Sequence, residues 1–265
     1  ANASKAKQAT SRANQISKIK LDDIKKSSRV YPFIKFNYDQ KIFNNILKIK
    51  NLSKGYGDLS VLKKINLDIN VGEKVAIIGE NGIGKTTLLS CVLGDDTLDS
   101  GEVKWSENVR IGYFAQNHSQ DFKSDKTLFD WMSQWGQKED DLQTIRGTLG
   151  RLLFSQDDIG KPVRVLSGGE QRRMLFGKII LQRPNVIIMD EPTNHLDLES
   201  ITALNNALTN YKGTVLFTTH DHAFAQTVGN RILELTPKGV IDRFMTFDEY
   251  MTDPKVKEQR IAMYS

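Results

Sequence analysis

The stretch Gly79-Glu80-Asn81-Gly82-Ile83-Gly84-Lys85-Thr86 constrains this chain more than any other feature. It fits the pattern G-x-x-x-x-G-K-[ST] and lies between an apolar run, Val75–Ile78, and a helix-forming run, Lys85–Leu93. Glycines let the backbone curl so that successive N–H groups point inward at phosphate oxygens. The helix that follows aims its positive end at the same anion. Lys85 adds a charge for the β- and γ-phosphates, and Thr86 a hydroxyl for Mg²⁺. Strand, loop and helix in this order predict a nucleotide phosphate site.

A second run, Val186-Ile187-Ile188-Met189, ends in two acids, Asp190 and Glu191. Unpaired buried charge is costly, so two carboxylates at the end of a buried strand need a reason. Asp190 can hold Mg²⁺ directly or through water, and Glu191 can polarise an attacking water. The plainer alternative is that both acids cap the turn at Pro192-Thr193-Asn194. A third feature is Leu166-Ser167-Gly168-Gly169-Glu170-Gln171. Ser167 and Glu170 form an S-x-x-E capping box, so a helix begins there. Two glycines in its first turn expose backbone N–H groups at a positive helix end, at a cost of ~1 kcal/mol per Gly.

The rest of the chain supplies the frame. Ile46–Lys50, Ile65–Ile69, Val103–Trp105, Val109–Phe114, Thr214–Thr218 and Arg231–Leu235 read as strands. Leu128–Trp135, Leu142–Phe154 and Leu198–Leu208 read as helices. Alternating strands and helices predict a parallel α/β sheet. Trp131 and Trp135 form an i,i+4 pair that reads as core packing. His118, His195 and His222 read as loop or surface residues. No apolar run approaches the ~18 residues that span a bilayer, and no secretory leader is expected. Cys91 is the only cysteine, which excludes an internal disulfide and a cysteine zinc site. The expectation is a reduced, cytoplasmic protein.

Charge is one-sided. Residues 1–50 hold 12 Lys+Arg and 3 Asp+Glu, leaving 25 basic and 29 acidic residues for the remainder. Ala6, Ala9, Ala13, Ile16, Ile19 and Ile24 recur at helical spacing in a thin apolar stripe. A basic helical arm that meets a polyanion is one reading, and a solvated helix packed on an absent partner is the other. If that polyanion is a nucleic acid, the absence of aromatic side chains from residues 1–28 predicts phosphate contacts rather than base reading. Arg12, Lys18, Lys20, Lys25, Lys26 and Arg29 are the candidates for contact with it. Val30–Phe36 is expected to cross over to the body.

As an ordered set, these motifs resemble the ATP-binding cassette (ABC) ATPases over residues ~46–250. Gly79–Thr86 looks like the Walker A loop, Val186–Glu191 like Walker B with its catalytic Glu, and Leu166–Gln171 like the family signature. Gln116 sits where the Q-loop glutamine would be, Leu196-Asp197 resembles the D-loop, and His220 the switch histidine. Tyr56 is placed like the aromatic that stacks on adenine.

The resemblance implies a P-loop NTPase fold of the ABC type. It would have a parallel core sheet, an antiparallel β subdomain and a helical subdomain at about 117–183. Residues 46–265 would form the nucleotide-binding domain, preceded by a basic linker arm over 1–45. It implies ATP contacts from Tyr56, Gly79, Glu80, Asn81, Gly82, Ile83, Gly84, Lys85, Thr86, Thr87 and Gln116. Mg²⁺ would meet Thr86, Gln116 and Asp190, and catalysis would involve Lys85, Glu191 and His220. In this family two cassettes pack head to tail, so Ser167, Gly168, Gly169 and Glu170 would act in trans. An isolated cassette would then hydrolyse ATP weakly.

Within the family, the basic arm resembles the interdomain linker of ABC-F proteins, ribosome-associated ATPases with two cassettes in one chain. Gln8-Ala9-Thr10-Ser11-Arg12, Val103-Lys104-Trp105, Ile111-Gly112-Tyr113, Pro192-Thr193-Asn194-His195-Leu196-Asp197 and Asp248-Glu249-Tyr250 are similar to ABC-F second cassettes. That resemblance implies a C-terminal cassette with part of the linker. Its partners would be an N-terminal cassette, the ribosome, rRNA and tRNA, with no transmembrane partner. The alternative is the nucleotide-binding subunit of an ABC membrane transporter.

Overall fold

The apolar runs become a central sheet because each is buried on both faces, which is what parallel strands covered by helices require. The computed structural model describes residues 30–40 and 45–265. In chain order these hold β1 (Asn45–Tyr56), β2 (Leu59–Asn70), β3 (Lys74–Ile78), α1 (Lys85–Leu93), β4 (Ser100–Trp105) and β5 (Ile111–Phe114). Next come α2 (Leu128–Ser133), α3 (Leu142–Arg151), α4 (Gly168–Gln182), β6 (Val186–Asp190), α5 (Leu198–Asn210) and β7 (Thr214–Thr218). The chain closes with α6 (His222–Val228), β8 (Arg231–Thr236), β9 (Gly239–Arg243), α7 (Phe247–Thr252) and α8 (Pro254–Tyr264). The basic stretch 1–29, with its candidate RNA contacts, lies outside the described residues.

Two sheets form. One is antiparallel, in the order β2-β1-β4; the other has six strands, in the order β5-β6-β7-β3-β8-β9. In the larger sheet the first five strands are parallel and β9 returns antiparallel to β8. Strand side chains alternate between faces, so Val75 and Ile77 pack with β1, β2 and α1, between the sheets. Ala76 and Ile78 face the second core, built with the helices on the far side. This is the expected ABC ATPase arrangement of parallel sheet, antiparallel sheet and helices.

Several boundaries move. β1 and β2 extend well past Ile46–Lys50 and Ile65–Ile69, because their half-exposed residues pair along a long hairpin. The fifth strand starts at Ile111 rather than Val109. Asn185 ends the ladder there, its side chain accepting from the Arg110 N–H. The helix predicted over Leu142–Phe154 stops at Arg151, and Leu153 takes a left-handed conformation at φ +68°. That over Leu128–Trp135 stops at Ser133. Trp131 is buried and stacks on Phe122 at 4.9 Å, while Trp135 meets Trp131 edge-on. The compact unit runs from Tyr31 to Ser265. Ile34 and Phe36 of the crossing segment are buried in its core, and Phe36 meets Tyr211 edge-on.

Candidate functional site: a phosphate-loop cleft

Four neighbouring parallel strands, β5, β6, β7 and β3, deliver their carboxyl ends to one edge of the sheet, where ligands of open α/β folds bind. The loops that leave them carry Gln116, Asp190 with Glu191, His220 and the glycine-rich turn. A cleft of about 420 Å³ opens there. It is lined by Asn81, Gly82, Gly84, Lys85, Thr86, Thr87, Gln116, Asp190, Glu191, Asn194 and His220.

The turn is shaped by two glycines that its own surroundings demand. Gly79 has φ +141°, and a Cβ there would lie 2.7 Å from the Leu235 carbonyl oxygen. Gly84 has φ +110°, and a Cβ would lie 2.5 Å from Val61 Cγ1. No side chain caps α1, so its first N–H groups are available to an anion. Lys85 is buried, and its Nζ donates to the carbonyl oxygens of Gly79 and Glu80, both at 2.9 Å. Burial pulls its pKa down, against the opposing charges of Glu191 and Asp190.

The acids are held from below. Thr86 Oγ1 donates to Asp190 Oδ2 at 2.8 Å, and Thr218 Oγ1 donates to Oδ1 at 2.6 Å. Thr218 also accepts from the Glu191 N–H at 2.8 Å. One hydroxyl from β7 therefore fixes both residues at the end of β6. Glu191 adopts φ +48°, a left-handed conformation uncommon for a non-glycine residue, which it shares with Asn51, Lys64, Asn108, Leu153, Arg183 and His195. Its two carboxylate oxygens are buried and face His220. His220 Nε2 lies 3.3 Å from Oε1. Burial raises the Glu191 pKa, opposed first by His220 and then by Lys85. A carboxylate so placed is a competent proton acceptor for a water in the cleft.

The remaining candidates fall around this centre. Gly79 and Glu80 line a neighbouring cavity rather than the cleft. Ile83 packs inward with the core between the sheets. Tyr56 is half exposed, outside the cleft lining; its hydroxyl donates to Asp96 at 2.7 Å and Lys54 Nζ lies 4.9 Å from its ring centre. Ser167 caps α4 and shares a capping box with Glu170, as the sequence predicts. None of Ser167–Glu170 lines the cleft. A Cβ at Gly168 would meet nothing within 4 Å, and one at Gly169 only Arg173 Nη1 at 4.0 Å. Among the described residues, nothing requires glycine at either position. His118 is a loop residue, but it is half-buried between Phe114 and Phe122 rather than on the surface.

A family model described as ABC transporter matches residues 62–194, half of the chain. The chain belongs to the ABC ATP-binding cassette family. This cassette is 57% identical over 251 residues to ATP-binding protein YbiT of Escherichia coli O157:H7, covering 95% of the chain and 47% of YbiT. It is 44% identical over 266 residues to the ABC transporter ATP-binding protein YkpA of Bacillus subtilis strain 168, covering 100% of the chain and 49% of YkpA. Identity to ABC transporter F family member 5 of Arabidopsis thaliana is 36% over 220 residues, 81% of the chain and 31% of that protein. The cassette thus spans about half the length of YbiT and YkpA. A metal-chelate type ABC transporter solved in an inward-facing conformation shares the fold, with TM-score 0.63 and 24% identity over 83% of the cassette and 90% of that chain.

Cassettes of this family are generally ATPases that use Mg-ATP. The donor set here suits a hard cation that arrives with phosphate: Thr86 and Asp190 present oxygen ligands 2.8 Å apart. Among the described residues no group of three or more His, Cys, Asp or Glu could hold a metal by itself. Among those residues, too, no helix is long and apolar enough to cross a membrane. Thr218 and Asn194 were not singled out by motif reading. Thr218 looks like any β-branched strand residue, and Asn194 sits inside Pro192–Asp197 without a sign of which way it faces.

Proposed function

We propose that this cassette binds and hydrolyses Mg-ATP as the C-terminal half of a soluble, cytoplasmic ABC-F translation factor acting on the ribosome. The observation that carries the nucleotide reading is the convergence of Lys85, Thr86, Asp190, Glu191 and His220 on one cleft. The Lys85 ammonium exchanges its two carbonyl partners for β- and γ-phosphate oxygens, aided by the open N–H groups of α1. Thr86, Asp190 and Gln116 would hold the Mg²⁺ of Mg-ATP, which would offset phosphate charge. Glu191 accepts a proton from the attacking water, and His220 stabilises the γ-phosphate charge. Tyr56 stacks on adenine with the face that Lys54 leaves free.

The glycines at 168 and 169 support a second cassette in trans. Their fold gives no local reason for them, whereas a phosphate brought by a partner does. Ser167, Gly168, Gly169 and Glu170 would then close the partner's site, and an isolated cassette turns over slowly. Ribosome, rRNA and tRNA contact is supported by the one-sided charge of residues 1–50 and by the relatives named as F family members.

Two measurements test this reading in the intact protein. Lys85→Ala should remove one Mg-ATP binding component in calorimetry, and unchanged binding refutes the phosphate-loop assignment. Glu191→Gln, with its counterpart in the other cassette, should retain the protein on ribosomes in the presence of ATP. Pelleting without ATP-dependent retention, or co-purification with an integral membrane subunit, favours the transporter reading instead.

A further inference from the structure

Glu234 is a carboxylate buried beside the phosphate loop, and nothing in the cleft chemistry uses it. It is 2% exposed in β8 and pairs in register with Ile78, the residue before Gly79. Three donors from the last two helices converge on it. Tyr250 Oη of α7 donates to Oε2 at 2.5 Å. From α8, Arg260 Nε lies 2.9 Å from Oε2 and donates to Oε1 at 3.2 Å, and Tyr264 Oη donates to Oε1 at 3.0 Å.

Tyr264 Oη also reaches the Leu235 carbonyl oxygen at 3.4 Å. That carbonyl is the group a side chain at Gly79 would strike, so it bounds the first residue of the phosphate loop. A cavity of about 680 Å³ separates the loop residues Gly79–Asn81 from α8, with Arg260, Ile261 and Tyr264 on its far wall. The helix thus meets the end of β8 at the carbonyl that abuts Gly79. Burial pushes the Tyr264 phenol up to about 12, with the charges of Glu234 and Glu80 adding to the rise. Buried ionic clusters often add little stability over apolar residues of similar volume, so stability alone does not account for this one.

We infer that α8 sets the geometry of the phosphate loop, with Glu234 and Tyr264 as positioning residues for the triphosphate. This rests on the cleft being the Mg-ATP site. The end of the loop farther from Lys85 is held by the last turn of α8, so nucleotide affinity depends on a helix that touches no nucleotide.

The test uses the intact protein and follows the Mg-ATP binding component that Lys85→Ala removes. Tyr264→Phe and Glu234→Gln should each weaken that component by roughly threefold or more, with about tenfold the most that one lost hydrogen bond can transmit. A matched control is Asp242→Asn, which disturbs the buried Arg231 cluster with Glu73, at the opposite end of β8. It should lower the melting temperature and leave affinity within twofold. Affinity unchanged in Tyr264→Phe, or lowered equally in Asp242→Asn, overturns the inference while leaving the cleft assignment intact. If Glu234→Gln fails to fold, Tyr264→Phe decides alone. If the parent shows no component sensitive to Lys85→Ala, the nucleotide reading fails and the inference with it.

Discussion

Replacing Thr218 by Val removes one hydroxyl and keeps the side-chain shape. Thr218 is fully buried at the end of β7, and its hydroxyl serves Asp190 Oδ1 and the Glu191 N–H at once. A hydrogen bond to a carboxylate contributes about 1.5–3 kcal/mol, and a buried N–H left alone costs about 1–3 kcal/mol. The added buried methyl returns about 1 kcal/mol. The expected loss is about 1.5–5 kcal/mol of unfolding free energy, set against the ~5–15 kcal/mol that keeps a domain folded. Urea unfolding at neutral pH measures it. Thr218→Ser keeps the hydroxyl and should lose only about 1 kcal/mol for the deleted methyl. Mg-ATP affinity should fall in the Val variant and hold in the Ser variant, because among the described residues Asp190 keeps only Thr86 as a partner when the hydroxyl goes. A Val variant within about 1 kcal/mol of the parent, or a Ser variant as unstable as Val, refutes the bridging role.

The Glu191 carboxyl and the basic arm supply two more predictions. Burial holds Glu191 above its usual value of 4.5, so its ionised form disfavours the fold. That penalty is absent below 4.5, enters as pH rises, and is complete above the raised value. Glu191→Gln should therefore melt higher than the parent at pH 7, with the gap closing as pH falls toward 4.5; a pH-independent gap counts against the buried-charge account. Neutralising Lys18, Lys20, Lys25 and Lys26 should weaken ribosome or RNA binding and flatten its dependence on salt, since fewer counterions are released. Identical salt slopes for parent and variant would leave the arm as scaffolding.

Much of this protein is written locally. The turn at Gly79–Thr86 needs glycines at φ values that other residues resist, so its pattern survives as a string of letters. The end of β6 at Asp190 and the start of α4 at Ser167 are likewise local events: an apolar run stopped by acids, and a capping box. The elements missed were short or half exposed. Strand β9 spans Gly239–Arg243 on the sheet edge with only Ile241 buried, and α7 has six residues, though Thr246 and Glu249 spell its capping box. Their periodicity is too brief to register, and α8, though eleven residues long, buries only Val256 and so lacks an apolar face to read.

Tertiary structure decided what each motif faces. Strand order β6-β7-β3-β8 brings together residues more than 100 positions apart, through crossovers that no local pattern encodes. Only that order sets Thr218 beneath Asp190 and Glu191, and Glu234 beside Ile78. A hydroxyl or carboxylate in a strand has the same sequence appearance whether it meets solvent, a helix or a catalytic acid. Which of these it meets depends on the neighbouring strand, and that neighbour is chosen by the packing of the whole sheet.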